Sequence, residues 1–192
     1  MTHDDAQVPR TPRGDGDEAR DLALVARIAR GDRAALAALY RDFYPRLYRF
    51  VLRVLARSDA VEDVVNETML AVWQQAAGFR EASRVGTWIF GIAYRRALKA
   101  LARERRPQPQ PEPAPVAMPP ELTDADERRA AVARAIASLP PDQRAVVELT
   151  FAFGHSYGEI AAILGCPEGT VKSRMFHARA RLRPLLRALA EE

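Results

Sequence analysis

The chain has 192 residues, 48% of them hydrophobic, which is room for one domain or two small ones with real cores. A single Cys excludes an internal disulfide and a Cys-rich zinc site, and no apolar run nears the ~18 residues of a membrane span. The net charge is only +4, but cations and acids come in blocks, and the blocks say more than the total.

Residues 1–20 are polar, with Asp4, Asp5, Asp15, Asp17 and Glu18 outnumbering Arg10, Arg13 and Arg20, and read as a disordered tail. No apolar signal segment follows Met1, so a cytoplasmic location is expected. From Asp21 the pattern turns helical: Leu22, Val25 and Ile28 form a stripe that ends near Gly31. Asp32 suits the N-cap of a second helix with Leu36, Leu39 and Phe43 inside. Pro45 is expected to start a third segment, apolar at Leu47, Phe50, Val51, Val54 and Leu55.

The next helix is expected to be capped by Ser58 or Asp59, and Asp59 with Glu62 has capping-box spacing. Val61, Val64, Val65, Thr68, Val72 and Trp73 line its inner face. Its outer face is acidic, with Asp59, Glu62, Asp63 and Glu67 around Asn66; acids at a helix N-terminus also stabilise its dipole, so the face reads either as a solvated helix start or as a docking surface. A loop over 76–86 holds Phe79, Arg80 and Arg84. Thr87 then caps a long helix with Ile89, Ile92, Ala93 and Leu98 inside. Arg95, Arg96, Lys99, Arg103, Arg105 and Arg106 stand against Glu104, with Trp88, Phe90 and Tyr94 interleaved. Rings among cations suit single-stranded nucleic acid, because bases stack on the rings while the cations follow phosphates. At least one of Trp88 and Phe90 is expected in the core.

Residues 107–120 contain seven Pro and no helical pattern, which makes them a semi-extended linker. Thr123 caps a helix through Ile136 and Leu139, and Pro141 lies near the start of the next, whose core is Val146, Val147, Leu149 and Phe151. Residues 157–182 read as a helix-turn-helix: Ile160, Ala161 and Leu164 on the first helix, Gly165 at its end, Pro167 at the start of the second. At about 100° per residue, Val171, Met175, Ala178 and Leu182 fall on one stripe, opposite Ser173, Phe176 and His177. From Gly165 to Arg187, six cations stand against one Glu. A basic helix with one exposed ring fits a reader of the major groove. The face is set by Thr170, Lys172, Ser173, Arg174, Phe176, His177 and Arg179, with Ser173, Phe176 and His177 on bases and Lys172, Arg174 and Arg179 on phosphates. Pro184 is expected to kink or restart the last helix. No strand signal competes, so the fold class is all-α: two small helical bundles joined by a Pro-rich linker, the C-terminal one containing the helix-turn-helix.

Five stretches, GDRAALAALYRDFYPRLYRF, VEDVVNETMLAVW, FREASRVGTWIFGIAYRRAL, LPPDQRAVVEL and YGEIAAILGCPEGTVKSRMFHARARL, resemble in this order the extracytoplasmic-function sigma factors of bacterial RNA polymerase. The resemblance covers about residues 21–106 and 123–187. It implies a tail (1–20), a region-2-like domain (21–106), a linker (107–122) and a region-4-like domain (123–192). It further implies that Asp59, Glu62, Asp63, Asn66 and Glu67 dock on core RNA polymerase. The minus-ten element would be melted and captured by Phe79, Arg80, Arg84, Trp88, Tyr94, Arg95, Arg96 and Lys99. The recognition helix would read duplex minus-thirty-five DNA, and an anti-sigma factor is a further implied partner.

Three positions depart from the family pattern: Asn66 where a Gln is usual, Arg95 where an Asn is frequent, and His177 where an Arg is usual. The first keeps the amide chemistry. The other two bear on which promoter is read. A stand-alone helix-turn-helix regulator would leave the acidic helix and the basic-aromatic helix unexplained. An enzyme finds no support either: His3, His155, His177 and Cys166 are scattered and form no catalytic or metal constellation, so no cofactor is expected. Cys166 reads as a small residue fitting the turn rather than as a redox sensor.

Overall fold

The computed structural model describes residues 15–55, 59–104 and 124–188. Among these residues, eight α-helices follow one another: α1 (Asp15–Ile28), α2 (Arg33–Leu55), α3 (Val61–Gln75), α4 (Val85–Glu104), α5 (Asp124–Ala137), α6 (Pro141–Phe151), α7 (Tyr157–Leu164) and α8 (Glu168–Ala188). A 3-10 turn, Ala76–Gly78, lies between α3 and α4. The all-α class expected from the sequence is the one observed. Residues 1–14, the linker 107–122, and the caps assigned to Ser58 and Thr123 lie outside the described residues, as do Arg105 and Arg106.

α1 begins at Asp15, inside the stretch expected to be a tail. Its first turn carries Glu18, which accepts a 2.7 Å hydrogen bond from the Val85 amide. That bond satisfies one of the donors left open at the start of α4. α4 therefore begins at Val85, and Thr87, expected as its cap, is a buried residue inside it. The cap comes from another helix, far away in sequence.

Asp32 caps α2 as expected: its Oδ1 accepts from the Ala34 amide at 2.9 Å and the Ala35 amide at 3.1 Å. The bond from the Ala35 amide, joined by Arg27, holds the Asp32 carboxyl below its ordinary pKa. α2 then runs unbroken through Pro45, which was expected to start a new segment. Leu39, Phe43, Leu47 and Phe50 are fully buried along one stripe that crosses the proline. Each such burial is worth about 1.5–3 kcal/mol, against about 3 kcal/mol for an interior proline, so the stripe wins. Pro45 itself points to solvent.

α3 starts at Val61 with Ala60 in the N-cap position and no side-chain cap, so the Asp59–Glu62 capping box does not form. Asp59 lies in the turn ahead of it. Val61, Val64, Val65, Thr68 and Val72 are buried as expected, while Trp73 is half-buried. α1 and α3 pack on α2, and α4 closes the four-helix group against α2 and α3.

In the C-terminal half, Pro141 takes the first turn of α6 and Pro140 its N-cap. Val146, Val147 and Leu149 are buried, but Phe151, expected in the core, is 50% exposed. The helix ends there, and Phe153 from the following turn goes inward instead, edge-on to Phe50 at 5.8 Å and Phe90 at 5.3 Å. Pro184 lies inside α8, which continues past it without restarting. Leu98 of α4, expected inside, is 37% exposed.

The two halves pack on each other. α7 lies along α4, and α6 against α2. Arg144 of α6 is buried and donates to four carbonyls: Arg53 (3.3 Å) and Val54 (2.8 Å) at the end of α2, and Ala137 (2.6 Å) and Leu139 (2.8 Å) at the end of α5. One guanidinium thus caps two helix C-termini, where carbonyls lack partners and positive charge is favoured. Beside it, buried Glu148 pairs with Arg53 at 3.0 Å. Burial pushes the Glu148 carboxyl up, while Arg53 and Arg144 pull it back.

Candidate nucleic-acid interface

α7 opens with a reciprocal cap. The Ser156 hydroxyl accepts from the Glu159 amide at 3.3 Å, and Glu159 Oε2 accepts from the Ser156 amide at 2.8 Å. The S-x-x-E signature stands in the sequence and was passed over. Gly165 closes α7 with φ 65°, the left-handed conformation expected of it. α8 is entered at Glu168, and the Pro167 carbonyl accepts its first bonds, from the Thr170 and Val171 amides.

The two faces of α8 separate as the spacing predicts. Val171, Met175, Ala178 and Leu182 are buried. Lys172, Ser173, Phe176, His177 and Arg179 are exposed, Thr170 is half-buried, and Phe176 leaves 68% of its surface in solvent. Packing does not account for a bare ring at that position. Lys172 pairs with Glu168 at 2.8 Å on the surface. Arg174 differs from its expected role. It is half-buried, 3.0 Å from Asp142 of α6 and 3.6 Å from the Cys166 sulfur, so it braces the helix-turn-helix.

The aromatic and basic residues of the first half divide in two. Phe79 and Trp88 are brought together, half-buried, with ring centroids 4.7 Å apart. Arg80, Arg95 and Lys99 are exposed around them in sequence. Glu81, in the loop, holds a left-handed backbone with φ 55°, which costs a non-glycine residue about 1–3 kcal/mol. Arg84 is half-buried and paired with Glu18 at 3.4 Å, and Arg96 pairs with Glu67 at 3.1 Å. Phe90 is core. Tyr94, placed by the sequence reading among the base-capturing residues, is only 4% exposed and does not belong to an open surface. Burial raises its phenol pKa, opposed by Arg174, and the charged groups near it, Arg174 and Asp142, come from the other half.

On the acidic face, Asp59, Glu62, Asp63 and Asn66 are exposed and Glu67 is half-buried. The Asn66 side-chain oxygen accepts from the Tyr40 hydroxyl at 3.0 Å. Tyr40, Tyr44 and Tyr48 form a ladder on α2 with centroid steps of 5.3 and 5.8 Å. Desolvation, with the Glu62 charge next, raises the Tyr44 pKa. Sequence reasoning missed this ladder, although its i, i+4 spacing was readable. Among the described residues, no group of His, Cys, Asp and Glu could hold a metal ion.

Comparison with known proteins adds two regions in order. Residues 39–107 match Sigma-70 region 2, and residues 129–182 match Sigma-70, region 4. That pairing defines a sigma factor of the sigma-70 class. The ECF RNA polymerase sigma factor RpoE of Cereibacter sphaeroides is 35% identical over 156 residues, 79% of this chain and 86% of that relative. The ECF RNA polymerase sigma-E factor of Escherichia coli K12 is 34% identical over 185 residues, 87% of this chain and 96% of that one. Among solved structures, CnrH in complex with the cytosolic domain of CnrY superposes with a TM-score of 0.66 at 29% identity, covering 88% of this chain and 98% of that one. The sigma factor RpoE of Bartonella quintana, in complex with the anti-sigma factor NepR, gives 0.59 at 28%, covering 78% and 97%.

The chain belongs to the extracytoplasmic-function (ECF) RNA polymerase sigma factors. It is an alternative sigma factor that binds core RNA polymerase and directs promoter-specific initiation of transcription. The reading as a stand-alone regulator is not favoured.

Proposed function

We propose that this division of labour is carried by particular residues. Residues 21–106 hold polymerase and the minus-ten element, 107–122 connect, and 123–192 read the minus-thirty-five element. Ser173, Phe176 and His177 meet base edges, with Thr170, Lys172 and Arg179 beside them on phosphates. Phe79 and Trp88 supply the stacking platform for unpaired bases, flanked by Arg80, Arg84, Arg95, Arg96 and Lys99. Glu62, Asp63, Asn66 and Glu67, with Asp59 ahead of them, dock on a basic surface of polymerase. An acidic patch between two basic surfaces repels DNA and so serves another partner. The protein acts in the cytoplasm and is not an enzyme. It takes an anti-sigma factor as its negative partner, by analogy with the complexes named above.

The observation that carries this reading is the separation of faces on α8, where a buried stripe is opposed by an exposed Phe176 that packing does not require. The test is reconstitution. Core polymerase plus this chain should protect an upstream element and make thymines of the minus-ten region reactive to permanganate. The chain alone should not open the DNA. The double change Glu62→Lys, Asp63→Lys should weaken core binding by about tenfold or more at moderate salt, since like charge then faces like. Unchanged affinity would remove this face from the docking site.

A further inference from the structure

We infer that α1 braces the loop assigned to unpaired bases, and that Glu18 is a positioning residue for Trp88; the positioning rests on the function proposed above, the brace does not. α1 lies ahead of residue 39, where the match to Sigma-70 region 2 begins. At about 100° per residue, Glu18 shares a face with Asp21, Val25 and Ile28, all three of them buried. A carboxylate facing inward costs stability unless it is bonded there. Both oxygens of Glu18 turn to the start of α4. Oε1 accepts from the Val85 amide at 2.7 Å, and Oε2 accepts from Arg84 Nε at 3.4 Å.

The peptide unit between Arg84 and Val85 is therefore held from both ends. Its N–H donates to Glu18, and its carbonyl accepts from the Trp88 amide at 3.0 Å. Trp88 in turn stands with its ring centroid 4.7 Å from that of Phe79. At the other end of the loop, the 3-10 turn Ala76–Gly78 packs on α1, and the Phe79 amide donates to the Ala76 carbonyl at 3.2 Å. α1 thus meets the loop where it begins and where it ends. Between the two anchors Glu81 keeps its left-handed backbone. A strained conformation persists only where its surroundings fix it, and α1 supplies a fixed point on either side. A platform already in place loses less freedom when a base arrives than one that must be ordered first. Glu18 touches no base; it acts through the backbone that carries Trp88.

The test uses the full chain and core polymerase. Glu18→Ala removes both bonds, while Glu18→Gln keeps an oxygen for the Val85 amide and gives up the charge. Hydrogen exchange in the free chain reads the brace. Exchange over residues 79–88 should quicken by about fivefold in Glu18→Ala, the effect of a lost N-cap, with α3 as protected as in the parent. Strand binding reads the positioning. The probe is the labelled single strand of the minus-ten element that the parent holoenzyme selects from a random pool. Holoenzyme with Glu18→Ala should bind it about fivefold more weakly, and Glu18→Gln should return binding to within about twofold of the parent. Affinity for core polymerase and for minus-thirty-five duplex should not change in either variant. Unchanged exchange in Glu18→Ala would overturn the brace. Quicker exchange with unchanged strand binding would overturn the positioning, and so would equal losses of strand and core affinity, which mark a residue of the fold alone. A Glu18→Gln chain as weak as Glu18→Ala would overturn the assignment to the Val85 bond. A parent holoenzyme that selects no strand would sink the proposed function and the positioning with it, while the exchange result would still decide the brace.

Discussion

His177 and Phe176 stand side by side on the exposed face of α8, ring centroids 5.6 Å apart and edge to face. A neutral imidazole can accept from or donate to a purine edge, whereas an arginine there presents a fork that matches the O6 and N7 of guanine. His177→Arg should therefore shift upstream preference at one or two positions, towards guanine, by about 1–3 kcal/mol per position, with the minus-ten preference unmoved. A selection over randomised upstream sequences reads this directly. Identical motifs for the two proteins would take His177 off the reading face. Arg174 belongs to a different category. Its guanidinium faces Asp142 and Cys166, so replacing it would loosen the helix-turn-helix before it altered the choice of base.

Among the elements, α2 shows how packing overrides a local preference. Restoring an amide at Pro45 would return a hydrogen bond to the helix, although an alanine also frees the unfolded chain by about 0.4–1 kcal/mol. With about 3 kcal/mol between proline and alanine in a helix interior, Pro45→Ala should stabilise the protein by roughly 2 kcal/mol. The urea midpoint should rise at constant slope, and a fall would mean that the proline serves the fold. The same contrast explains what the sequence could disclose. α7 and α8 were legible because their turn is written locally, in Gly165 and in the stripe from Val171 to Leu182. Asp32 was legible as a cap for the same reason. The cap of α4 was not, since Glu18 is 67 residues from Val85. The burial of Tyr94 was not, since the residues that cover it belong to the other half. Phe151 and Phe153 exchanged roles because α6 stops between them, and a periodic pattern cannot place a residue beyond the helix end.

At the scale of the whole molecule, the junction between the halves carries an acid-sensitive group. His155, on the turn before α7, packs against Phe90 at 5.5 Å, and its Nε2 is buried without a hydrogen-bond partner. Burial lowers its pKa from 6.5 to about 4; Glu159 opposes this, and Arg46 and Arg84 add to it. Glu18 and Asp21 of α1 face the same small cavity. Above pH 6.5 the folded and unfolded chains bind the same number of protons at this site. As pH falls from 6.5 towards 4, the unfolded chain takes up a proton that the folded chain refuses, so stability drops, by roughly 3 kcal/mol at the acid end. His155→Phe should flatten this part of the profile. Urea midpoints at pH 7.5 and pH 5 for both proteins measure it, and parallel losses would clear His155 of the effect.

The bond from the Val85 amide to Glu18 has a temporal consequence as well. During synthesis the first helix leaves the ribosome long before the start of α4 does, and Glu18 has no amide to receive until then. The four-helix group cannot be completed from its N-terminal part alone. Trp88 stands in the first turn of α4, the last helix of the group to emerge, so the acidic face of α3 is made before the Phe79–Trp88 pair can be.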